Sequence, residues 1–291
     1  MSGAGKTPAG PSACPACDGR RFKSLFEKHG RQFWRCRGCG LEQQHPLPEP
    51  AELQRYYEDA YVSGMYKPFV DAQGLKSHTA EHRFKSIRSF CRFGRWLDVG
   101  TSSGAFVAYA RSQGVDAEGI DFARAAVDDA RARGTPVSRA RIEEFEPGYR
   151  FDTVTAFDVL EHVLDPPRFL AGVRRLLRPG GTFAIAVPNQ ASLYRRLMGR
   201  HWFYYIPEEH MYTYNARCLR RLLERAGLEM SHSSAELKPL NLNYALVWLE
   251  ERNPRIHKLL APLSALVGER LGDRSLALPL GDLLVLGSRP D

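Results

Sequence analysis

The sequence predicts an α/β fold, in which helices cover both faces of a mostly parallel sheet, preceded by a small cysteine-rich module. From Gly94 onward, short apolar strands alternate with amphipathic helices, which is typical of parallel sheets. Ahead of them lie two Cys-x-x-Cys pairs, Cys14/Cys17 and Cys36/Cys39. A chain of 291 residues is long enough for one full α/β domain and such a module.

The composition divides the chain into four segments. Residues 1–12 are rich in Gly, Ala, Ser and Pro and are predicted to be a disordered tail. Residues 13–45 hold the cysteine pairs and two strand-like stretches. Residues 46–93 begin with a proline-rich hinge and continue as a helical, aromatic linker, which we expect to cover the site. Residues 94–291 form the α/β domain.

The α/β domain shows seven strand-like stretches, at residues 96–99, 117–120, 136–140, 151–157, 182–187, 228–233 and 283–288. Helices are predicted between them, at residues 105–113, 123–133, 167–177 and 216–226. Asn215 and Gly227 are typical of the start and the end of the last of these helices. Residues 244–271 are predicted to form two amphipathic helices, which could cover the last strands, form a dimer contact or lie on a membrane.

Charge and hydropathy exclude few classes of function. The formal net charge of +8 suits an anionic substrate, an acidic partner or RNA, and it also suits ordinary solvated helix faces. No uncharged apolar run reaches the length of a membrane-spanning helix, and the first residues lack the apolar core of a secretory signal. We therefore expect a cytoplasmic protein.

The two Cys-x-x-Cys pairs, with 18 residues between them, match the spacing of a four-cysteine zinc ribbon. In a reducing compartment this pattern favours a metal over disulfides. We therefore predict a structural Zn²⁺ ion held by Cys14, Cys17, Cys36 and Cys39. The two remaining cysteines, Cys91 and Cys218, stand alone in helix-like stretches and are predicted to be buried apolar residues.

The role of this ribbon has two interpretations. Basic residues alternate in it with Phe22, Phe33 and Trp34, and such a mixture can bind RNA. Structural support, or docking against the α/β domain, is the alternative, since ribbons of this kind need their metal to fold.

A glycine turn follows the first strand of the α/β domain. Gly100 and Gly104 lie where the backbone can approach a ligand and where the next helix offers unpaired N–H groups. Asp121 ends the second strand, where a carboxylate can accept hydrogen bonds from both hydroxyls of a ribose. The spacing is not the Gly-x-Gly-x-x-Gly that a dinucleotide pyrophosphate requires, so a nucleoside without phosphates is predicted. A tight turn with no ligand is the alternative.

This region resembles the class I methyltransferases that use S-adenosylmethionine. Four stretches are similar to the first, second, fourth and fifth motifs of that class, namely LDVGTSSG at 97–104, GIDF at 119–122, residues 151–163 and LRPGG at 177–181. The resemblance spans about residues 94–235 and implies a Rossmann-like, seven-stranded methyltransferase sheet with helices on both faces. It departs from the class at Ser102, which replaces the central glycine of the first motif.

The resemblance implies that S-adenosylmethionine is the cofactor. From the methionine end to the adenine, the implied contacts are Asp98, Gly100, Thr101 and Gly104 for the methionine portion, Phe157 on the sulfonium side, Asp121 for the ribose, Phe122 and Ile142 around the adenine, and Glu143 at its edge. The sulfonium loses its positive charge in the transition state, so such an enzyme chiefly aligns nucleophile, methyl group and sulfur.

Three candidate side chains follow the fourth strand at helical spacing, Asp158, Glu161 and His162. His162 could be the general base that deprotonates an acceptor hydroxyl. All three could instead hold a divalent cation, as the resemblance to ubiquinone-biosynthesis O-methyltransferases implies. A third interpretation is that Glu161 and His162 only support the turn.

A second candidate base lies after the fifth strand, in the aromatic segment 201–212. This segment resembles the acceptor wall of methyltransferases that act on glycan, lipid or quinone acceptors, in which the histidine faces the methyl group; here that residue is His210. Aromatic packing on the sheet is the alternative for the rings of this segment.

We therefore expect methyl transfer to a small-molecule, glycan or lipid-linked acceptor, on a hydroxyl, with a carbon or nitrogen atom as the alternative acceptor. An RNA methyltransferase that grips RNA with the ribbon is a first alternative, although the segment after the fourth strand lacks the [N/D]-P-P-[Y/F] pattern of base N-methylation. A non-catalytic scaffold that binds the cofactor is a second alternative, and the intact Asp98, Gly100, Gly104 and Asp121 argue against it.

Overall fold

The computed structural model describes residues 10–62, 73–240, 258 and 276–291. Most of the predicted disordered tail, and all but one residue of the predicted amphipathic helices at 244–271, lie outside these ranges. Within them, no helix is both long enough and apolar enough to cross a membrane.

The N-terminal module is a small antiparallel ribbon. Its strands are β1 (Phe22–Lys28), β2 (Arg31–Cys36) and β3 (Glu42–His45), and two helices follow, α1 (Pro50–Val62) and α2 (Gln73–Ile87). The second cysteine pair lies on the turn between β2 and β3. There the backbone N–H of Cys36 donates to the carbonyl of Leu41 at 2.9 Å, so this turn sets how β3 lies against β2.

The α/β domain alternates strands and helices along the chain. Its elements are β4 (Arg95–Val99), α3 (Ala105–Ser112), β5 (Asp116–Asp121), α4 (Arg124–Ala132), β6 (Val137–Arg139), β7 (Phe151–Phe157), α5 (Pro166–Leu176), β8 (Leu177–Pro188), α6 (Leu193–Met198), β9 (Tyr212–Thr213), α7 (Ala216–Arg225), β10 (Glu229–Leu240) and β11 (Leu276–Ser288).

Among the described residues, seven of these strands form one sheet in the order β10-β11-β8-β7-β4-β5-β6. The five strands from β8 to β6 pair in parallel, whereas β11 is antiparallel to both β8 and β10. The seven-stranded sheet expected from the sequence is confirmed.

Helices cover both faces of this sheet, as predicted. On one face α2 and α3 bury Phe84 and Phe106 against Trp96 of β4. On the other face α5 and α7 bury Phe169 and Leu219 in the larger part of the core. Because both faces are covered, β4 and β7 at the centre of the sheet are buried along most of their length.

Local signals in the sequence explain the bounds of α7. The side chain of Asn215 accepts a hydrogen bond from the N–H of Cys218 at 2.9 Å, which satisfies one of the donors at the start of the helix. Gly227, with φ of 70°, follows its end in the left-handed conformation. Cys91 and Cys218 are buried, as predicted.

The ribbon and the α/β domain share one core. The short strand β9 pairs with β3, so that the ribbon sheet has the order β1-β2-β3-β9. Leu41 of the ribbon packs in the same buried cluster as Met211, Tyr212 and Leu219. The sequence contains no strand-like signal at β9, because two residues are too few for a periodic pattern.

Candidate active site

The glycine turn after β4 is shaped by the protein itself. Gly100 and Gly104 have φ of 69° and 73°, in the region that L side chains rarely adopt. A Cβ atom on Gly100 would lie 2.5 Å from Val159 Cγ2, and one on Gly104 would lie 2.7 Å from Thr135 Cγ2. Glycine is therefore required at both positions for the turn to form beside the carboxyl ends of β5 and β7.

Ser102 occupies the place of the central glycine and keeps its conformation. Its φ is 50°, so a serine adopts the left-handed backbone that glycine would adopt there. Its N–H donates to Asp121 Oδ2 at 2.9 Å, and the N–H of Ala123 donates to Asp121 Oδ1 at 2.9 Å. Asp121 thus joins the glycine turn, through Oδ2, to the segment that follows β5, through Oδ1.

Two buried carboxyl groups lie beside this turn. Asp98, near the end of β4, accepts a hydrogen bond from Thr155 Oγ1 at 2.6 Å, and burial raises its pKa to about 6. Burial also raises the pKa of Asp121, against the hydrogen bonds from backbone N–H groups that lower it. Thr101 is buried next to them in the turn. These are the residues that the sequence assigns to the methionine portion and the ribose.

A cavity of about 800 Å³ opens at the carboxyl ends of β5 and β6. Phe122 lines it, with Arg141 Cζ 5.0 Å from the ring centroid, and Tyr57 of α1 closes one side. Further lining residues at the end of β6 are Ala140 and Glu144, whereas Ile142 and Glu143 are not among them. Ile142 is buried below the cavity, where it packs in the core and against Gly172 of α5.

Phe157, at the carboxyl end of β7, lies between two elements of the site. Its ring makes an edge contact with Phe106 of α3 at 5.0 Å between centroids. The guanidinium of Arg83 lies over the same ring, 4.7 Å from its centroid. Arg83 comes from α2, so the predicted linker contributes directly to this wall.

A network of buried charges adjoins this wall. Arg83 pairs with Asp158 at 2.6 Å and with Glu236 of β10 at 2.6 Å. Lys238 of β10 pairs with Asp158 and with Asp282 of β11, both at 2.9 Å. Burial alone would raise the pKa of Asp158, but the charges of Lys238 and Arg83 hold it below its ordinary value. Asp158 is therefore an ionised partner of two cations.

The two predicted bases lie side by side beyond this network. The ring centroids of His162 and His210 are 4.7 Å apart, and the planes are at 82°. One ligand atom from each of Glu161, His162 and His210 lies within 4.8 Å of the others. Asp158 belongs to a different cluster, with Glu236 and Asp282. The tertiary structure thus brings His210, and not Asp158, to Glu161 and His162.

Backbone carbonyls indicate the tautomers of both rings. His210 Nδ1 lies 2.7 Å from the carbonyl oxygen of Tyr204, which can only accept a hydrogen bond. His162 Nδ1 lies 3.0 Å from the carbonyl oxygen of Glu209 and 2.8 Å from the hydroxyl of Tyr57. A proton on Nδ1 satisfies these contacts in both rings, which leaves each Nε2 atom as a proton acceptor.

Burial tunes the acid–base groups of this cluster. It lowers the pKa of His162, which is a neutral imidazole at neutral pH. Burial, and then the charge of Asp158, raises the pKa of Glu161 well above its ordinary value. Glu161 Oε1 lies 4.0 Å from His162 Nε2, and Glu161 Oε2 accepts no hydrogen bond from the described residues.

Comparison with known proteins assigns the class of reaction. A family model described as a methyltransferase domain matches residues 77–233, just over half of the chain. The chain belongs to this methyltransferase family. Together with the fold and the similar proteins described next, this match makes it an enzyme that transfers a methyl group from S-adenosylmethionine.

Named relatives of this methyltransferase include ubiquinone biosynthesis O-methyltransferases. The one from Aromatoleum aromaticum is 29% identical over 213 residues, which cover 67% of this chain and 87% of that protein. The one from Saccharophagus degradans is 26% identical over 200 residues, which cover 64% of this chain and 83% of that protein.

Solved structures share the fold of the methyltransferase. A chain in the complex between the Haloferax volcanii Trm112 methyltransferase activator and a methyltransferase aligns with 78% of this chain and 96% of its own, with a TM-score of 0.54 and 18% identity. The Burkholderia thailandensis 1,6-didemethyltoxoflavin-N1-methyltransferase, solved with that acceptor and S-adenosylhomocysteine, aligns with 92% of this chain and 100% of its own, with a TM-score of 0.52 and 18% identity.

The four ribbon sulfurs of the methyltransferase fit a tetrahedral metal ion. Cys14 Sγ and Cys39 Sγ are 3.5 Å apart, Cys17 Sγ and Cys36 Sγ are 3.6 Å apart, and all four lie within 4.8 Å of one another. Sulfurs bound at about 2.3 Å to a tetrahedral zinc ion lie about 3.8 Å apart. The hydrogen bond from Cys14 lowers the pKa of Cys39 to about 5, which favours a thiolate in this cluster.

Several residues of the site had no signal in the sequence. Arg83 and Lys238 lie far along the chain from Asp158, and nothing in their local sequence predicts that they pair with it. Tyr57 belongs to an aromatic stretch of the predicted linker, but only the fold brings its hydroxyl to His162.

Proposed function

We propose that this methyltransferase methylates a hydroxyl of a small molecule, with His162 as the general base and a phenolic hydroxyl as the preferred acceptor. The observation that carries the proposal is the pair of adjacent imidazoles of His162 and His210, each held through Nδ1 by a backbone carbonyl. The names of the ubiquinone biosynthesis relatives support an oxygen acceptor.

S-adenosylmethionine supplies the electrophilic methyl group when it is bound. In this proposal Asp98 and the turn from Gly100 through Thr101 to Gly104 hold its methionine portion, and Asp121 holds the ribose. Phe122 and Arg141, which line the cavity, enclose the adenine. Phe157 excludes water from the side on which the methyl group reacts.

The base favours a phenol over a sugar hydroxyl. A phenol has a pKa of about 10 and an ordinary imidazole about 6.5, a gap of about 3.5 units or about 5 kcal/mol. An alkyl hydroxyl near the value of water, about 15.7, widens the gap to about 9 units or about 12 kcal/mol. Since burial lowers the pKa of His162 further, a phenolic acceptor is the one this base can activate.

A direct test compares His162→Ala with the wild-type enzyme, using S-adenosylmethionine and a panel of catechols such as dihydroxybenzoates. Loss of a general base lowers kcat by about 10² to 10⁴-fold, and the affinity for S-adenosylhomocysteine should stay within about twofold. His232→Ala, on an exposed ring that stacks on Phe90, is the matched control. Wild-type turnover in His162→Ala contradicts the proposal.

A divalent cation is the second candidate for activation of the acceptor. Glu161, His162 and His210 form a carboxylate and two imidazoles with ligand atoms within 4.8 Å, which is a donor set that transition metals use. Dialysis against a chelator, with zinc restored to the ribbon afterwards, separates the two mechanisms. Activity that returns only with a further metal favours the cation.

The burial of aromatic rings weighs against RNA as the acceptor. Phe33 is buried against Trp202 and Tyr205, and Trp34 is buried as well, so neither ring is available to stack on a base. Salt-dependent binding of RNA by the full chain would support this alternative.

A scaffold without catalysis predicts no turnover with any acceptor.

We also propose that the ribbon sulfurs of Cys14, Cys17, Cys36 and Cys39 hold one structural zinc ion. The distances between the sulfurs and the lowered pKa of Cys39 support this assignment.

A further inference from the structure

We infer that the ribbon holds the two histidines in their catalytic arrangement and that Gln44 is a positioning residue for His162 and His210. The inference rests on the proposed function of these two histidines. It concerns the segment 204–211, called here the histidine loop, which joins the ribbon to the catalytic groups.

The histidine loop fixes both histidines through its backbone. Its carbonyl oxygens at Tyr204 and Glu209 lie 2.7 Å and 3.0 Å from the Nδ1 atoms of His210 and His162. The N–H of Met211 donates to the carbonyl of Glu161 at 2.8 Å. A shift of this loop would therefore move all three groups of the cluster.

The ribbon in turn fixes the histidine loop. Lys28 Nζ donates to the carbonyl of Tyr205 at 2.7 Å. Gln44 Nε2 donates to the carbonyl of Pro207 at 2.9 Å, and the N–H of Gln44 donates to the carbonyl of Met211 at 3.1 Å. The ribbon thus holds the loop at its start, middle and end.

Gln44 is suited to this role by its donor group. The residue is fully buried, and Nε2 also lies 3.1 Å from Met211 Sδ and 3.4 Å from the carbonyl oxygen of His210. All these neighbours are acceptors, which sets the orientation of the amide. Gln44 Oε1 has no partner among the described residues. Burial of this acceptor costs free energy, and the hydrogen bonds of Nε2 offset that cost.

The turn between β2 and β3 determines where Gln44 lies. Cys36 ends β2, and two residues separate Cys39 from the start of β3. A metal ion held by these cysteines would therefore fix β3 against β2. The carboxylate of Glu42 in β3 is fully buried and bonds to Arg35, Arg195 and Tyr205. These bonds join the ribbon to α6, through Arg195, and to the histidine loop itself, through Tyr205.

The test compares Gln44→Leu with Gln43→Leu, a variant at a buried glutamine on the same strand with no hydrogen bond to the loop among the described residues. In Gln44→Leu we expect kcat with the catechol panel to fall about 10- to 100-fold, because displacement of a reacting group by about 1 Å has such an effect. Affinity for S-adenosylhomocysteine should stay within about twofold. Gln43→Leu should keep kcat.

Two further readouts separate positioning from general destabilisation, both measured below the unfolding temperature. Hydrogen exchange in peptides covering residues 203–214 should be faster in Gln44→Leu than in Gln43→Leu. The acid limb of the kcat profile should move up towards pH 6.5, since water admitted to His162 relieves the burial that lowers its pKa.

Wild-type kcat in Gln44→Leu overturns the inference, whether or not hydrogen exchange in the loop becomes faster. Wild-type turnover in His162→Ala is a failure of the proposed base instead. If no catechol is methylated, the exchange experiment still decides: unchanged exchange in Gln44→Leu overturns the link between ribbon and loop, and faster exchange supports it.

Discussion

Single residues around the glycine turn combine structural and chemical duties. Asp121 bonds to the backbone of Ser102 and Ala123, and so it would shape the turn even without a ligand. Ser102 shows that the central glycine of the motif can be replaced, provided that the residue adopts a positive φ. The charge of Asp98 is the most sensitive to pH among the groups around this turn, since its pKa of about 6 lies near the physiological range.

Affinity for the cofactor should therefore depend on pH through Asp98. The ionised carboxylate attracts the cationic amino group of the methionine portion, so affinity is full above pH 6 and is lost as pH falls below it. If only the ionised form binds, calorimetry should show about 10-fold weaker binding of S-adenosylhomocysteine at pH 5 than at pH 8. Asp98→Asn should bind weakly at both values.

Asp116 offers a control, because it is exposed at the start of β5, whereas the glycine turn lies beside the end of that strand. Asp116→Asn should keep the wild-type dependence of affinity on pH. Equal affinity of the wild-type protein at pH 5 and pH 8 would contradict the assigned role of Asp98.

At the scale of elements, buried charges connect helix α2 to three strands. Arg83 from α2 and Lys238 from β10 neutralise Asp158 at the end of β7, and they also pair with Glu236 of β10 and Asp282 of β11. The linker helix is thereby fixed over the site by ion pairs in addition to the packing of Phe84. In this arrangement Asp158 pairs with two cations and lies in a different carboxylate cluster from Glu161 and His162.

Lys238→Met should destabilise the fold by about 3 kcal/mol at pH 7, because it leaves the buried carboxylate of Asp282 without its cation, whereas Asp158 keeps Arg83. Burial raises the pKa of Asp282 to about 6, so this carboxyl is ionised above pH 6 and becomes neutral below it. The loss of stability should therefore be present above pH 6 and shrink as pH falls towards 4. Urea unfolding at several pH values measures it.

The matched control is Lys85→Met, which removes only an exposed ion pair with Glu81 on α2. Exposed pairs contribute about 0 to 1 kcal/mol. A Lys238→Met variant as stable as Lys85→Met would show that the buried network adds nothing to the fold.

At the scale of the whole molecule, the ribbon is not a detachable module. Its sheet takes in β9, and its buried residues belong to the same cluster as those of α7. This continuity implies that the ribbon and the methyltransferase sheet unfold as one cooperative unit.

Native reduced protein should contain about one zinc ion per chain, measured by metal analysis. Removal by a chelator should lower the temperature of the main unfolding transition and should not create a separate early one, since the ribbon and the sheet share a core. Cys39→Ser should lose the metal, whereas Cys91→Ser should keep it. Native protein without zinc would contradict the proposal.

Much of the fold could be predicted from local patterns. The periodicity of apolar residues indicated all seven strands of the main sheet, and Asn215 and Gly227 marked the bounds of α7. The site could be predicted only in part: Phe122 lines the cavity together with Ala140 and Arg141, whereas Ile142 and Glu143, two positions further along, do not line it. A two-residue offset in a loop has no periodic signature.

The sequence alone determined the α/β class, the glycine turn with its carboxylates and the four clustered cysteines, because each is marked by short motifs that lie no more than 25 residues apart. Only the tertiary structure decided that His210 joins His162, that Asp158 pairs with Arg83 and Lys238, and that Gln44 holds the histidine loop. These contacts join residues about 50 to 160 positions apart, and their formation depends on how strands and loops pack once the sheet exists.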